Sequence, residues 1–404
     1  MIVASYMGFA SLPIIRVVDD TPNSLMRKLS PILGLPIDDE APALFATGTS
    51  DLAEMAVKLQ LSVIIPARNE KNNLPNCLRT LLSQSDDSFL LGRDWELVVV
   101  DDASTDGTRA IAVEAAAHYA GVRLLEAPAL DLSAGKRIFT GKTNACWAGA
   151  EQSEGRWLLF TDADTLHEAG GLVRALKEAE KQGVAMLSYS PRQIVSGFWQ
   201  SALMPLVFSE LATVYPPAQV NDARNGLAAA NGQFLMVERE VYFAVGGHRA
   251  VGRSVLEDVD LADKVKMSGR GLWFRYAPDA LSTHMYRGFN DMVEGWTKNL
   301  ALLFPHALGL AAWRLLDIGL LLLPMVLIPL HYLAFWQQMV ILLIWVRTLF
   351  RFYNRVSRSN FGVMECAISV FALPLFIGLL VSSWMKHKVF HQVAWKGREY
   401  RTER

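Results

Sequence analysis

From Asn299 to Val346 the only formally charged residues are Arg314 and Asp317. At about 1.5 Å of rise per residue, a run of this length crosses a hydrocarbon layer of roughly 30 Å twice as helix. The pattern predicts a hairpin with spans at 307–329 and 333–352, and HYLAFWQQ at 331–338 supplies the aromatic and polar residues suited to a membrane interface at its turn. A third apolar run, 361–385, carries one acid, Glu365, and has Pro374 in its middle. Membrane segments are therefore expected over 301–385, followed by a basic tail at 386–404.

Charge placement complicates that reading. Arg347, Arg351, Arg355 and Arg358 lie between the second and third runs, whereas Lys386, Lys388, Lys396 and Arg398 follow the third. Three full crossings would put the two clusters on opposite sides, against the tendency of basic residues to stay in the cytoplasm. The third run is accordingly expected to re-enter, broken at Pro374, which leaves the tail on the side of the N-terminal domain. The expected location is the cell membrane, multi-pass, with that domain on the cytoplasmic side. At the other end, the first 15 residues are uncharged but lack the basic start of a secretory signal. They are read as an interfacial anchor opening a lead-in over 1–59.

Composition narrows the partners. Lys plus Arg number 39 against 40 Asp plus Glu, so nothing global favours nucleic acid. The three cysteines, Cys77, Cys146 and Cys366, are far apart and form neither a disulfide framework nor a thiolate zinc site, which points to a reducing compartment.

Between 60 and 300 the pattern changes. Apolar strand-like runs at 61–66, 96–100, 122–126, 157–161, 185–189 and 233–237 alternate with helical stretches, the signature of an α/β layer around a mostly parallel, Rossmann-like sheet. Ligands of such sheets lie beyond the carboxyl ends of the strands. The polar residues there are Arg68, Asn69 and Glu70, then Asp101 and Asp102, then Asp162 and Asp164. One aspartate after a strand is commonly just a turn former. Acids at three strand ends converge on one rim, and an acidic pocket of that kind calls for a divalent cation. In Asp162-Ala163-Asp164 one carboxylate can coordinate Mg²⁺ or Mn²⁺ while the other fixes a ribose or a metal-bound water, with a diphosphate supplying further oxygens.

Taken in order, PARNE at 66–70, DDASTDGT at 101–108, GKTNA at 141–145, DADT at 162–165 and LEDVDLADKVKMSG at 256–269 resemble the serial motifs of family 2 glycosyltransferases. The resemblance implies a glycosyltransferase-A type domain, a nucleotide-diphosphate sugar donor, a divalent metal and inverting chemistry. MYRGFNDMVEGWTKNL at 285–300, followed by apolar helices, is similar to the membrane-bound branch that glycosylates lipids such as hopanoids, carotenoids or ceramide. A lipid acceptor is then the expected partner. The resemblance puts the nucleotide against Pro66, Ala67, Glu70 and Asp102, with Asp101 as a supporting acid, and Lys142 facing the diphosphate. Asn231 and Gly232 would line the sugar or acceptor side, where glycine permits close backbone approach.

Displacement at an anomeric carbon needs a base for the acceptor hydroxyl, and Asp258, beside Glu257, is the candidate. Both acids also suit the N-terminus of the helix that follows them. The QxxRW motif of many membrane members is missing. Glu294-Gly295-Trp296-Thr297-Lys298 stands nearest to it, with Trp296 a possible acceptor contact and Lys298 a possible diphosphate contact. His284 is a further candidate ligand for metal or phosphate, or else a core histidine. The uncharged stretch 193–209, within 193–216, is expected to form an amphipathic helix at the membrane interface that admits a hydrophobic acceptor.

Gly141-Lys142-Thr143 is no P-loop, because five residues separate Gly135 from Gly141 where four are required. A nucleotidyltransferase shares the metal logic and remains an alternative, as do a polyprenyl-phosphate sugar synthase and a non-catalytic membrane scaffold.

Overall fold

A computed structural model of the chain describes residues 59–130, 139–330, 333–390, 392–395 and 398–401. All of them belong to one compact unit, Lys58–Arg404. The lead-in expected at 1–59, but for its last residue, falls outside the described residues, as do 391, 396–397 and 402–404 of the expected tail.

Strands β1 (Leu61–Ala67), β2 (Trp95–Asp101), β3 (Val122–Glu126), β4 (Trp157–Phe160), β6 (Met186–Ser190), β8 (Leu235–Glu238) and β9 (Leu272–Tyr276) form a sheet in the order β3-β2-β1-β4-β8-β6-β9. β1 and β2 are apolar almost throughout because both faces are covered. Alternation sorts their side chains: Val63, Ile65, Leu97 and Val99 join one core, and Ile64, Val98 and Val100 the other. Helices α1 (Leu74–Leu82), α2 (Thr108–His118) and α4 (Gly171–Gln182) close the first face, while α3 (Gly141–Glu151) and α6 (Glu257–Met267) close the second. α3 packs closely on β1: a Cβ added at Gly149 would lie 2.6 Å from the Ile64 side chain.

Every sheet pairing is parallel except those of β8, which runs against β4 and β6. Its reversal matters for the site. Leu235, where β8 begins, pairs with Phe160, where β4 ends, so Asn231–Gln233 arrive at the rim onto which the parallel strands open. A small second sheet of β5 (Thr165–His167), β10 (Leu281–Thr283) and β7 (Arg192–Gln193) borders that rim and joins the segment after Asp164 to the one before His284.

Beyond β10 come α7 (Phe289–Leu303), α8 (Ala307–Leu327), α9 (Phe335–Val356), α10 (Val363–Ile368) and α11 (Leu373–Met385), and then an antiparallel hairpin of β11 (Gln392–Trp395) and β12 (Arg398–Arg401). The common core of these helices includes α5 (Gly197–Val214), inserted after β7. This corrects the expectation of an amphipathic interfacial helix at 193–216. Nine consecutive residues of α5, Ala202 to Glu210, are buried, so the helix is apolar all round because neighbours cover it all round. Its first turn, with Phe198 and Trp199, and Thr213 near its end are open.

The helices over Ala307–Leu327 and Val363–Phe390 are long and apolar enough to cross a membrane, and 28% and 33% of their most apolar windows are buried within the protein. α9 is as long, with Arg347 and Arg351 in its second half. Pro374 sits in the first turn of α11, where a missing N–H is tolerated, and a 3₁₀ turn at Ser369–Ala372 links α10 to α11. Glu210 of α5, Arg314 and Asp317 of α8 and Arg355 of α9 form a buried ion-pair group. Arg314 Nε and Arg355 Nε approach Glu210 Oε1 at 3.1 and 3.2 Å, Arg355 Nη2 lies 3.7 Å from Asp317 Oδ2, and Arg314 pairs directly with Asp317. The contacts to Glu210 are charge contacts without hydrogen-bond alignment.

Candidate active site

A cavity of about 840 Å³ opens at the rim of the large sheet and extends along α5 and α7. Pro66, Ala67 and Glu70 enter it from the end of β1 and Asp102 from the end of β2. Two turns there hold left-handed conformations outside glycine, Asn69 at φ 55° and Ala103 at φ 53°. The Asn69 side-chain oxygen accepts the Thr105 N–H at 2.8 Å, and Arg68 Nη1 donates to the Asp102 carbonyl at 2.7 Å, so the two strand ends are tied together. Glu70 is fixed from both sides: its N–H donates to Thr108 Oγ1 at 2.7 Å and Asn73 donates to its carboxylate at 2.7 Å. Asp101 is the exception among the expected residues. It does not line the cavity, and its carboxylate accepts the Ser104 N–H at 3.3 Å, the work of a turn former.

Asp162 and Asp164 both open into the cavity, and Ala163 between them is buried. Buried hydroxyls hold their backbone. Thr165 Oγ1 donates to the Asp162 carbonyl at 2.6 Å and Thr283 Oγ1 to the Asp164 carbonyl at 3.3 Å. Gln233 Nε2 donates to Thr283 Oγ1 at 3.0 Å and Thr161 Oγ1 to the Gln233 carbonyl at 2.8 Å, which links this turn to the Asn231–Gly232 loop. His167, buried against Thr161 and Thr165, is held neutral, its pKa pushed down by burial to about 4. The sequence reading missed this support: Gln233 and Thr283 lie outside the motifs, and Thr165 figured only as the last residue of DADT.

Lys142 rises from the first turn of α3, anchored by a reciprocal cap between Thr140 and Thr143. Its Nζ is 2.9 Å from Asp162 Oδ1 and 3.0 Å from Glu257 Oε1. Burial works against its charge, but Asp162 and Glu257 outweigh burial and hold its pKa well above the usual lysine range. Glu257 responds in the opposite sense: burial pushes its pKa up, yet Lys142, and after it Lys298, bring it below the usual value.

Asp258, one residue on, differs. Burial first, then the charge of Glu257, push its pKa up to about 6. Its Oδ2 accepts the Gly232 N–H at 2.8 Å and its Oδ1 the Val259 N–H at 2.9 Å. A carboxylate that also reaches across to Gly232 is not simply a helix cap. Adjacent acids driven apart in this way separate a permanent charge from a proton acceptor.

The far wall of the cavity combines apolar and basic groups. Phe208, Leu211, Tyr215 and Leu303 line it together with Trp296 and Lys298. Trp296 is not an interfacial aromatic: it is 3% exposed, its Nε1 lies 3.3 Å from Met204 Sδ, and its ring meets Phe208 edge-on. Lys298 has its pKa lowered by burial, with Glu257 opposing. Tyr286, Arg287 and Asp291, next to His284, also line the cavity and were not singled out from the sequence. His284 itself is exposed in the cavity wall and is not a core histidine.

Residues 62–259 match the profile described as Glycosyl transferase family 2. They are a family 2 glycosyltransferase domain. The chain is accordingly a glycosyltransferase, and its mixed, mostly parallel sheet is of the glycosyltransferase-A type. Among curated relatives, 4,4'-diaponeurosporenoate glycosyltransferase of Staphylococcus aureus (strain MRSA252) is 25% identical over 350 residues, covering 84% of this chain and 88% of the relative. The same enzyme from strain USA300 is 24% identical over the same length. Solved structures similar to this glycosyltransferase include the mannosyltransferase PcManGT from Pyrobaculum calidifontis in complex with GDP-Man and Mn²⁺, with a TM-score of 0.48, 17% identity and coverage of 90% of this chain and 98% of that one. S. aureus TarS 1–349 in complex with UDP-GlcNAc gives a TM-score of 0.42 and 14% identity, covering 84% of this chain and 96% of that one.

Proposed function

We propose that this family 2 glycosyltransferase moves a hexosyl group from a nucleotide-diphosphate sugar to a hydroxyl of a lipid, with inversion at the anomeric carbon. The observation that carries the proposal is the position of Asp258. It shares a cavity with the Asp162–Asp164 turn, and it is the acid whose pKa is raised, to about 6, toward the range a base at neutral pH requires. As the acceptor oxygen attacks C1, its proton passes to Asp258, the bond from C1 to the donor phosphate oxygen breaks, and the electron pair leaves with the nucleoside diphosphate. Gly232 N–H and Val259 N–H keep the Asp258 carboxylate aimed during transfer. Lys142 and Lys298 receive the charge that develops on the departing diphosphate.

The donor set suits a divalent cation. Among the described residues no three His, Cys, Asp or Glu side chains form a cage. Mg²⁺ and Mn²⁺ do not require one at such sites, because one or two carboxylates plus substrate phosphates are a common ligand set for Mg²⁺. Asp164 and Asp162 would hold the ion, which when bound neutralises charge on the leaving diphosphate.

Acceptor chemistry follows from the far wall. Phe208, Leu211, Trp296 and Leu303 offer hydrocarbon contact, and the curated relatives are named for a carotenoid acceptor. Helix α8 would cross the bilayer and the 363–390 segment would enter it, keeping such an acceptor in reach of the cavity, since most of their apolar surface is not covered by protein. The catalytic domain, 60–300, would then face the cytoplasm, where its free Cys77 and Cys146 stay reduced.

The test is to incubate membranes containing the enzyme with a panel of radiolabelled nucleotide sugars and to extract the lipid. Label in the lipid fraction with release of nucleoside diphosphate supports the proposal, whereas release of pyrophosphate would indicate nucleotidyl transfer. Mild alkali then separates the linkages. A glycoside made on a hydroxyl survives it, while a sugar ester made on a carboxylate is cleaved and would remove the need for Asp258 as base.

A further inference from the structure

We infer that Lys142 is an exchangeable internal counter-ion: its ammonium occupies Asp162 until a donor diphosphate draws it away, so that divalent cation and donor enter the site together and neither binds well alone. The inference rests on the donor and metal reading above and adds a coupling between them.

Three features lead to it. Lys142 Nζ contacts both Asp162 and Glu257, at 2.9 and 3.0 Å, so one of the two acids assigned to the metal already carries a cation. A second cation at Asp162 would meet that ammonium at close range and be repelled. Second, the helix beneath the lysine is fixed while its side chain borders the open cavity. Thr143 Oγ1 donates to the Gly252 carbonyl at 2.8 Å, the Thr140–Thr143 cap closes the helix start, and Gly149 lies tight on Ile64. The ammonium is therefore the part that moves, at the end of a flexible four-carbon stem. Third, space is kept for it. A Cβ at Gly232 would lie 2.9 Å from Lys142 Nζ, so the glycine leaves open the side on which the acids and the lysine meet.

A nucleoside diphosphate carries more negative charge than Asp162 alone and competes for the ammonium at an oxygen-rich face. Once Lys142 turns to the phosphates, Asp162 is released to the metal. The exchange is reciprocal by linkage: if diphosphate tightens metal binding by some factor, metal tightens diphosphate binding by the same factor, and couplings of roughly 5- to 150-fold are usual for such pairs of sites.

Mn²⁺ binding to the full-length protein in detergent, followed by electron paramagnetic resonance with and without UDP or GDP, tests this. The wild type is expected to bind Mn²⁺ weakly alone and at least about fivefold more tightly with the matching nucleoside diphosphate. In Lys142→Gln, Mn²⁺ alone should bind more tightly than to the wild type, and the tightening by diphosphate should shrink to the part that phosphate ligands of the ion themselves supply. Lys298→Gln removes the same charge from the same cavity and serves as the comparison: it should weaken diphosphate binding overall but keep the factor by which diphosphate tightens Mn²⁺. Because Lys142→Gln leaves Glu257 buried without its partner, the neutral double variant Lys142→Gln/Glu257→Gln provides a second, charge-balanced route to the same measurement. Coupling undiminished in both Lys142 variants, or reduced equally in Lys298→Gln, overturns the exchange while leaving the donor reading intact. A wild type that binds no Mn²⁺ with either diphosphate overturns both.

Discussion

At the rim of the sheet, Asp162 and Glu257 share Lys142, and Asp258 stands beside them in a cavity open to ligand. Among α5, α8 and α9, Glu210 and Asp317 face Arg314 and Arg355 with side chains only 5 to 14% exposed. The helical group balances two acids against two bases. The rim leaves acids in excess around a space that a diphosphate and a cation can fill. Charge that is matched and enclosed holds helices in register, whereas charge that is unmatched beside a cavity is held for a ligand. The sharpest break of this contrast is Asp258→Asn, which keeps size and one of the two acceptor oxygens but not basicity. Its kcat should fall by about 10²- to 10⁴-fold, with donor affinity near that of the wild type. Normal kcat in purified Asp258→Asn would take the residue out of the chemistry.

The corresponding experiment among the helices should act on stability. Arg314→Ala leaves Glu210 and Asp317 with one arginine between them in a buried setting, and loss of one partner from such a group costs about 3–5 kcal/mol. A fall in the thermal midpoint and in folded yield is the expected result, with nucleotide affinity per folded molecule unchanged. Replacing the whole group, as Glu210→Leu/Arg314→Met/Asp317→Leu/Arg355→Met, should restore most of the stability. If that apolar variant binds donor poorly while folding well, the helical charges belong to the site and the contrast between the regions is lost.

How far the sequence could be read follows the same division. The six apolar runs expected as strands all correspond to strands; in β1, β2 and β4 burial on both faces writes a nearly uninterrupted apolar segment, while the edge strand β3 is only partly buried. β5 and β10 escaped that reading: each is three residues long and is held by the other's backbone, with no apolar run to mark it. β9 is interrupted by Arg275, whose partners Glu178 and Asp279 become visible only in the folded chain. The reversed direction of β8 is not encoded in LMVE itself, yet it is what brings Asn231 and Gly232 to the acids. For α5, an uncharged run has one composition whether lipid or protein covers it, and its covering helices begin only at Phe289, far downstream. The contact of Lys142 with Asp162 was equally hidden, since the pair is spaced as independent motifs in the sequence and meets only across the sheet.

The proton-acceptor role of Asp258 also predicts a pH dependence. With a pKa raised to about 6, the carboxylate is protonated and inactive at lower pH, so kcat should fall about tenfold per unit below 6 and level off above it. The sign for stability is opposite. A carboxyl whose folded pKa exceeds its unfolded value contributes stability that is fully present below the unfolded pKa and is lost as pH rises through about 6. A rate profile at several pH values, run beside thermal melts, should therefore show activity rising where this contribution to stability declines. An acid limb centred near 4 would mean that Asp258 is not set apart from an ordinary carboxylate.

The smallest effect is expected at Gly232. Its added Cβ would stand 2.9 Å from Lys142 Nζ and 3.5 Å from Asp258 Oδ2, and the nearer atom is the far end of a flexible side chain. Gly232→Ala should therefore fold and retain Asp258 in place, because the Gly232 N–H that donates to it remains. The lysine has to give way by a few tenths of an ångström, which alters its contact with Asp162 and Glu257 while the base is preserved. A change of a few-fold in donor KM, with kcat close to the wild type, is the outcome that matches a rim built to accommodate a moving ammonium. A large loss in kcat with unchanged KM would instead place Gly232 against the reacting sugar, and the space beside Lys142 would then belong to the substrate.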